Sequence, residues 1–298
     1  MVTFTRGIDV SSHQDGPNDF AAVRQAGYDW AVQRWGVGTY RDPARFGHIE
    51  GIIKAGLIPG AYFVPGEHTG TGTEQAQRFL DELWRAFGDS MMLLVMDAEH
   101  SNSFGDPTAQ QCAEFVATLD REGRGRVPLG YIPRWWMQGR GWTFSQVAAV
   151  SKHALWWQSS YPTSPDPGVP PTVGYLGWPL RAWQYSDHGT VPGIPGPVDL
   201  DAFYGTAGQL GALASPASAT PTTSTPPIQE VSDMAHMVSG PSGAVLLVTG
   251  NASLLVTSAA MVTAHTKAGI PLVHCDDNQF RRYEKLRIDV AGVEQTEA

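Results

Sequence analysis

The sequence predicts an α/β barrel joined to a small second unit, and three observations carry that expectation. Short β-rich apolar runs alternate with amphipathic stretches through the first part of the chain, the pattern of repeated βα units around parallel strands. Eight such runs precede residue 214, within a length at the small end for a closed barrel. Residues 214–227 (ASPASATPTTSTPP) are only Ala, Ser, Thr and Pro, a composition that stays extended and solvated and so reads as a linker. The chain is therefore expected to divide into residues 1–213, the linker 214–227 and a unit at 228–298.

Taken in order, the expected strands are RGIDVS (6–11), YDWAVQRW (28–35), LIPGAYFV (57–64) and MMLLVMDAE (91–99). PLGYI (128–132), ALWWQSSY (154–161), LRAWQY (180–185) and PVDLDAF (197–203) follow. Helical spacing falls between the early strands, in DFAAVRQAG (19–27), ARFGHIEGIIKAG (44–56), TEQAQRFLDELWRAFG (73–88) and PTAQQCAEFVATLDREG (107–123). Each of these ends at a glycine (Gly27, Gly56, Gly88, Gly123), the residue that best tolerates a left-handed helix cap. Beyond about Ile132 the helical signal thins while strands continue. In residues 228–298, AVLLVTG, LLVTSAAMVTAHTKAG and IPLVHCDDNQFRRYEKL read as short strands flanking a helix, a small αβ module.

Composition excludes several functions. Of 298 residues, 42% are hydrophobic and 16% charged, which rules out a long disordered polyelectrolyte. The formal charge of −9 leaves no basic stripe, so nucleic acid is not an expected partner. The start, MVTFTRGIDVSSHQ, lacks a signal-peptide apolar core, and the longest apolar stretch is broken by Gly250 and Asn251. A soluble protein without membrane insertion is expected. Cys112 and Cys275 match no metal or disulfide spacing; Cys112 falls inside helical periodicity and suits core packing, and no cofactor is implied.

The chemistry lies in carboxylates at strand ends, where the following loops of a parallel barrel converge. Asp9 ends the first strand, Asp97 and Glu99 close the fourth after MMLLVM, and Asp199 lies in the last. Strand side chains alternate, so Asp97 and Glu99 point the same way and Ala98 the opposite way. Neighbouring carboxylates raise each other's proton affinity, and a partly buried Glu then keeps a proton near neutral pH. Splitting a glycosidic bond needs such a pair, one acid for the leaving oxygen and one anion for the developing positive charge. A lone D-x-E more often caps a helix or meets solvent; the apolar run before it and the further acids favour the chemical reading. Aromatic residues fit the same substrate, since sugars present C–H faces that stack on rings. Tyr62, Tyr131, Trp135, Trp136, Tyr161 and Trp183 fall at or after strand ends, while Trp30, Trp84 and Trp156 sit in apolar periodicity and are expected in the core. His13 could contact substrate near Asp9 or make a structural hydrogen bond.

These residues together resemble glycoside hydrolase family 25, the Chalaropsis-type lysozymes. The resemblance runs from Gly7 to about Gly205 through GIDVSSHQ, AGLIPGAYF, LLVMDAEHS, PLGYIPRWW, LWWQSSYP and AWQYSDHGTVPGIPGPVDLDAF. It implies an irregular TIM-like barrel with five βα units followed by further strands, and hydrolysis of the β-1,4 bond from N-acetylmuramic acid to N-acetylglucosamine. It further implies that Glu99 is the general acid and Asp97 its companion, with Asp9 and Asp199 completing an acidic cluster. Tyr62, Tyr131, Tyr161, Trp183 and Gln184 match its substrate-binding positions. Retention of anomeric configuration, with the substrate's 2-acetamido group attacking while Asp97 orients it, belongs to the same implication. Two departures stand out: QRWGVGTY (33–40) replaces a lysine-containing K-A-T-E-G run, and Phe63 replaces the usual His.

Phage and bacterial lysins of this family often carry a C-terminal wall-binding module, so residues 228–298 are expected to bind cell wall, with oligomerisation the competing role. The resulting expectation is a phage endolysin that waits in the host cytoplasm, depends on a holin for access and then degrades peptidoglycan in the wall. A glycan-binding protein without turnover and a chitinase are the alternatives.

Overall fold

The computed structural model describes residues 3–14, 16–101, 103–162, 171 and 174–216, together with strands at 236–239, 245–249, 252–256 and 272–274. The chain forms two compact units, Met1–Ala219 and Thr220–Ala298. Most of the expected linker and the helix expected after residue 256 lie outside the described residues.

In the first unit the strands are β1 (Phe4–Val10), β2 (Trp30–Val37), β3 (Tyr40–Arg41), β4 (Ile58–Val64), β5 (Leu93–Asp97), β6 (Leu129–Tyr131), β7 (Leu155–Ser159), β8 (Ala182–Gly189) and β9 (Val198–Tyr204). The helices are α1 (Phe20–Gln25), α2 (Arg45–Lys54), α3 (Gly72–Phe87), α4 (Ala109–Glu122), α5 (Arg134–Gly139), α6 (Phe144–Ser151) and α7 (Ala207–Ala214). Strands pair in the order β1-β9-β8-β7-β6-β5-β4-β2, and β1 also pairs with β2, so the sheet closes into an eight-stranded barrel with β3 hanging on β2. All eight expected strands are present. Three helices, α5, α6 and α7, occupy the stretch after Ile132 where the helical signal thins.

Neighbours around the ring are parallel except at β9, which runs antiparallel to both β8 and β1. The expectation of parallel strands fails there for a reason of length. The connection 190–197 is shorter than the dozen or so residues a parallel crossover requires, so the chain must turn back on itself.

The amphipathic helices cover the barrel. Ile8, Val10 and Ala31 on the outer faces of β1 and β2 meet Phe20 and Val23 of α1 and Ile52 of α2. Inside, Trp30, Val32, Leu93, Val95, Leu129, Trp157 and Phe203 form a second cluster, closed by Leu210 and Ala214 of α7. That helix plugs the mouth at the strands' amino ends: Ala214 O accepts from the Met92 N–H at 2.8 Å and Leu213 O from the Val127 N–H at 3.0 Å. Gly7 is required by this filling, because a Cβ there would lie 2.1 Å from the Trp30 ring. Gly27, Gly56 and Gly88 take positive φ after α1, α2 and α3, whereas Gly123 stays at φ −74° and Arg124, at φ 57°, makes the left-handed turn after α4.

In the second unit, β10 (His236–Ser239), β11 (Val245–Thr249), β12 (Ala252–Val256) and β13 (Leu272–His274) form a sheet ordered β12-β11-β10-β13. Only the β10–β13 pair is parallel. Among the described residues of the chain, no helix is long and apolar enough to cross a membrane.

Candidate active site

Alternation along each strand decides what enters the barrel. On β5, Leu93, Val95 and Asp97 share the inner face, so the apolar run that drives this strand into the core delivers Asp97 to its carboxyl end. On β1, Ile8 and Val10 pack outward, leaving Gly7 and Asp9 inside. Asp199 is the second residue of β9, and because β9 is reversed its beginning reaches the barrel's carboxyl face, with Asp9 and Asp199 directly opposite each other across the ladder. A pocket of about 160 Å³ opens at this face, lined by Asp9, Tyr62, Asp97, Glu99, Tyr131, Tyr161, Gln184 and Asp199 with Val95, Trp157 and Asp187. All four acids predicted for catalysis meet there, as do four of the five residues predicted to bind substrate.

The fifth, Trp183, lines no part of this pocket. Its neighbour Gln184 takes the inner face, so Trp183 turns outward, is 2% exposed, packs on Tyr185 and donates its indole N–H to Ser160 O at 2.8 Å. Trp136 is buried against Trp142, while Trp135 stands 60% exposed. His13 sits in a short 3-10 turn with its backbone N–H on Ser11 Oγ and is absent from the pocket lining. Cys112 is buried in α4. Phe63, opposite in direction to Tyr62, packs with Phe79 and Phe115 beneath the helices.

Hydrogen bonds wire the pocket floor. The Tyr131 hydroxyl donates to Gln184 Oε1 at 2.8 Å, as does the Tyr161 hydroxyl, and Gln184 Nε2 then donates to Asp9 Oδ2 at 2.7 Å. With its oxygen claimed by two hydroxyls, the amide must point its nitrogen at Asp9.

Burial dominates the electrostatics. It pushes Glu99 up to about 7, helped by Asp199 and opposed by Arg34 and His100. Burial likewise lifts Asp97, reinforced by Glu99 and Asp9, and lifts Asp9, reinforced by Asp199 and opposed by the Gln184 hydrogen bond. Asp199 rises to about 6, again through burial, with the Asp9 hydrogen bond opposing. Near neutral pH the cluster therefore holds protons, and Glu99, less enclosed than Asp9 and Asp97, is poised to give one away and recover it.

Four residues of this neighbourhood escaped the sequence reading. Arg34, beside Tyr62 across the β2–β4 ladder, sends positive potential to Asp97 and Glu99 while bonded to Asp42 Oδ2 at 2.8 Å and Ser12 Oγ at 3.1 Å. Asp187 lines the rim, and Trp157 lies edge-on to Tyr131 at 5.3 Å. Asp201, two residues past Asp199, is fully buried beneath them. The signal for Asp201 was available, because D-x-D on β9 repeats the spacing of D-x-E on β5.

Comparison with known proteins places the chain among relatives of one family and one fold. The model for Glycosyl hydrolases family 25 matches residues 8–194. Lysozyme M1 of Streptomyces globisporus is 32% identical over 222 residues, which cover 70% of this chain and 71% of that protein. The crystal structure of the bacterial lysozyme from Streptomyces coelicolor superposes with a TM-score of 0.58 at 28% identity, over 70% of this chain and 96% of that one. The catalytic domain of endolysin ply40 from bacteriophage P40 of Listeria monocytogenes shares the fold, with a TM-score of 0.57 at 20% identity over 71% and 98% of the two chains.

Proposed function

Because the chain belongs to glycosyl hydrolases family 25 and is a glycoside hydrolase of the lysozyme kind, we propose that the acid pocket cleaves the β-1,4 bond from N-acetylmuramic acid to N-acetylglucosamine with Glu99 as general acid. The observation that carries this assignment is the meeting of Glu99 with Asp9, Asp97 and Asp199 in one pocket, where burial raises the proton affinity of Glu99. Glu99 gives its proton to the bridging oxygen as the bond to C1 breaks. Asp97 orients the substrate's 2-acetamido group, whose carbonyl oxygen attacks C1 and forms an oxazolinium ring. Water then opens the ring at C1 while the Glu99 carboxylate takes back a proton, so configuration is retained. The Asp9–Asp199 pair, with Asp199 raised only to about 6, keeps a negative charge at the pocket as positive charge develops on the sugar. Tyr62, Tyr131 and Tyr161 supply ring faces and hydroxyls to the bound sugar, and Gln184 holds Asp9.

The decisive experiment is Glu99→Gln assayed on isolated cell walls. Turnover should fall at least about 10³-fold while binding to the walls persists; undiminished release of muramic-acid reducing ends would reject Glu99 as the acid. The same assay on chitin separates the substrates, with cleavage of chitin at a rate matching peptidoglycan rejecting muramidase specificity.

The setting proposed for this activity is host lysis by a phage: accumulation in the host cytoplasm, passage through a holin lesion, then wall degradation. The pairing of a hydrolytic unit with a second, separate unit supports that reading. Residues 228–298 are assigned to wall binding, since an attached second site raises local concentration on an insoluble polymer without altering the chemistry. Cells making the protein should stay intact until the membrane is permeabilised; lysis without permeabilisation would reject dependence on a holin.

A further inference from the structure

Asp201 is a fully buried acid of the cluster that the mechanism leaves without a task. It has 0% exposure, and neither of its carboxyl oxygens makes a hydrogen bond of sound geometry among the described residues. Its backbone lies opposite Gly7 of β1 and Gln184 of β8, between the two strands that carry Asp9 and its amide partner. Two residues along a strand is roughly 6.7 Å, so Asp201 stands one layer deeper than the Asp9–Asp199 pair. The groups acting on it are Asp9, Asp199 and the indole of Trp157, whose Nε1 is likewise without a bonded partner.

Among the described residues no cation bonds Asp201, and a further anion under Asp9 and Asp199 would carry an uncompensated desolvation cost. Burial, then Asp9 and Asp199, drive its proton affinity well above that of an ordinary carboxyl group. A buried neutral carboxylic acid has one O–H to place and one carbonyl oxygen to satisfy. The acceptor within its surroundings is Asp9 and the donor is Trp157.

We propose that Asp201 is a positioning residue, a neutral carboxylic acid that accepts the Trp157 indole N–H and donates its own O–H to Asp9 from beneath the pocket. Asp9 is then held by two donors, Gln184 Nε2 from the side and Asp201 from below, and stays fixed against Asp199 while substrate enters. The proposal rests on the reading of this pocket as the hydrolytic site. A Glu99→Gln variant that stays active would sink that reading, whereas the Asp201 variants below bear on the positioning role alone.

The test compares Asp201→Leu with Asp201→Asn in the full-length enzyme acting on soluble glycan fragments. Leucine fills the volume but cannot donate, and kcat should fall about tenfold or more with KM little changed, the loss of one buried hydrogen bond. Asparagine keeps a neutral donor and acceptor, and should rescue most of that loss with the pH profile in place. Infrared difference spectra of wild type against Asp201→Asn at pH 7 supply an independent readout, in which the band lost should be that of a protonated carboxyl group. Full activity in Asp201→Leu, a displaced pH profile in Asp201→Asn, or a lost band of an ionised carboxylate would each overturn the proposal. Should the leucine variant fail to fold, the asparagine profile and the infrared band still decide it.

Discussion

Glu99 and Arg34 set the acidity of the pocket from opposite sides. Burial and Asp199 hold the Glu99 proton on, while Arg34 draws it off. Since Glu99 acts as an acid only when protonated, kcat/KM should decline as pH rises through about 7, and a rate that climbs steadily to pH 9 would contradict the assignment. Arg34→Gln removes the opposing charge, so the alkaline limb should move to higher pH. That variant also strips the partner from fully buried Asp42, and a stability loss of about 3–5 kcal/mol is expected in denaturant unfolding. At this scale the sequence was partly transparent. The spacing of Asp97 and Glu99 showed which way both carboxylates face. Trp156 and Trp157 could not be told apart from local pattern, because only strand register decides which of two adjacent rings turns inward. Arg34 escaped for a related cause: a lone cation in QRWGVGTY acquires meaning only once the acids surround it.

Strands and helices were legible to the extent that their signals are local. Each of the eight strands lies where its apolar run predicts, with ends displaced by a few residues, because strand ends are fixed by neighbours rather than by composition. Helices α5, α6 and α7 were missed since all three are short, and RWWMQG in particular offers no room for an amphipathic repeat. Capping boxes start α3, α4, α6 and α7, each a threonine whose side chain accepts from the third backbone N–H of the helix. Thr206→Ala should cost about 1 kcal/mol by removing the cap of the helix that plugs the barrel, measurable as a lowered Tm. Gly7→Ala tests the filling above that plug. A methyl group cannot share space with the Trp30 ring at 2.1 Å, so the strand must shift, and a loss of about 1–3 kcal/mol is expected.

Across the whole molecule, the acid cluster works against the fold that holds it. Its members bind protons more tightly folded than unfolded, so the folded state takes up protons between the ordinary carboxyl range and about 7 and stability falls as pH rises through that interval. Glu99→Gln should consequently unfold at a higher temperature than wild type at pH 7.5, by the equivalent of about 1–2 kcal/mol; an unchanged or lower Tm would contradict the direction given for Glu99. The proposed function gives chemistry to the first of the two units and wall targeting to the second. Deleting residues 228–298 should reduce cosedimentation with walls and leave turnover of soluble fragments intact, since all four acids of the pocket lie in the first unit. The reversed last strand was beyond local reading, since its direction follows from the length of the preceding connection and from the need to close a ring.

That reversed strand has a consequence for how the enzyme comes into being. β1 is completed by β9, and the Gly205 N–H reaches Thr3 O at 3.0 Å, so the first and last strands of the barrel are neighbours. A ribosome releases Asp9, Asp97 and Glu99 long before it makes Asp199, and a nascent chain halted ahead of β9 has an open sheet and lacks the fourth acid. Hydrolytic competence thus arrives in one late step of synthesis, when the final strand zips into place and the catalyst first exists.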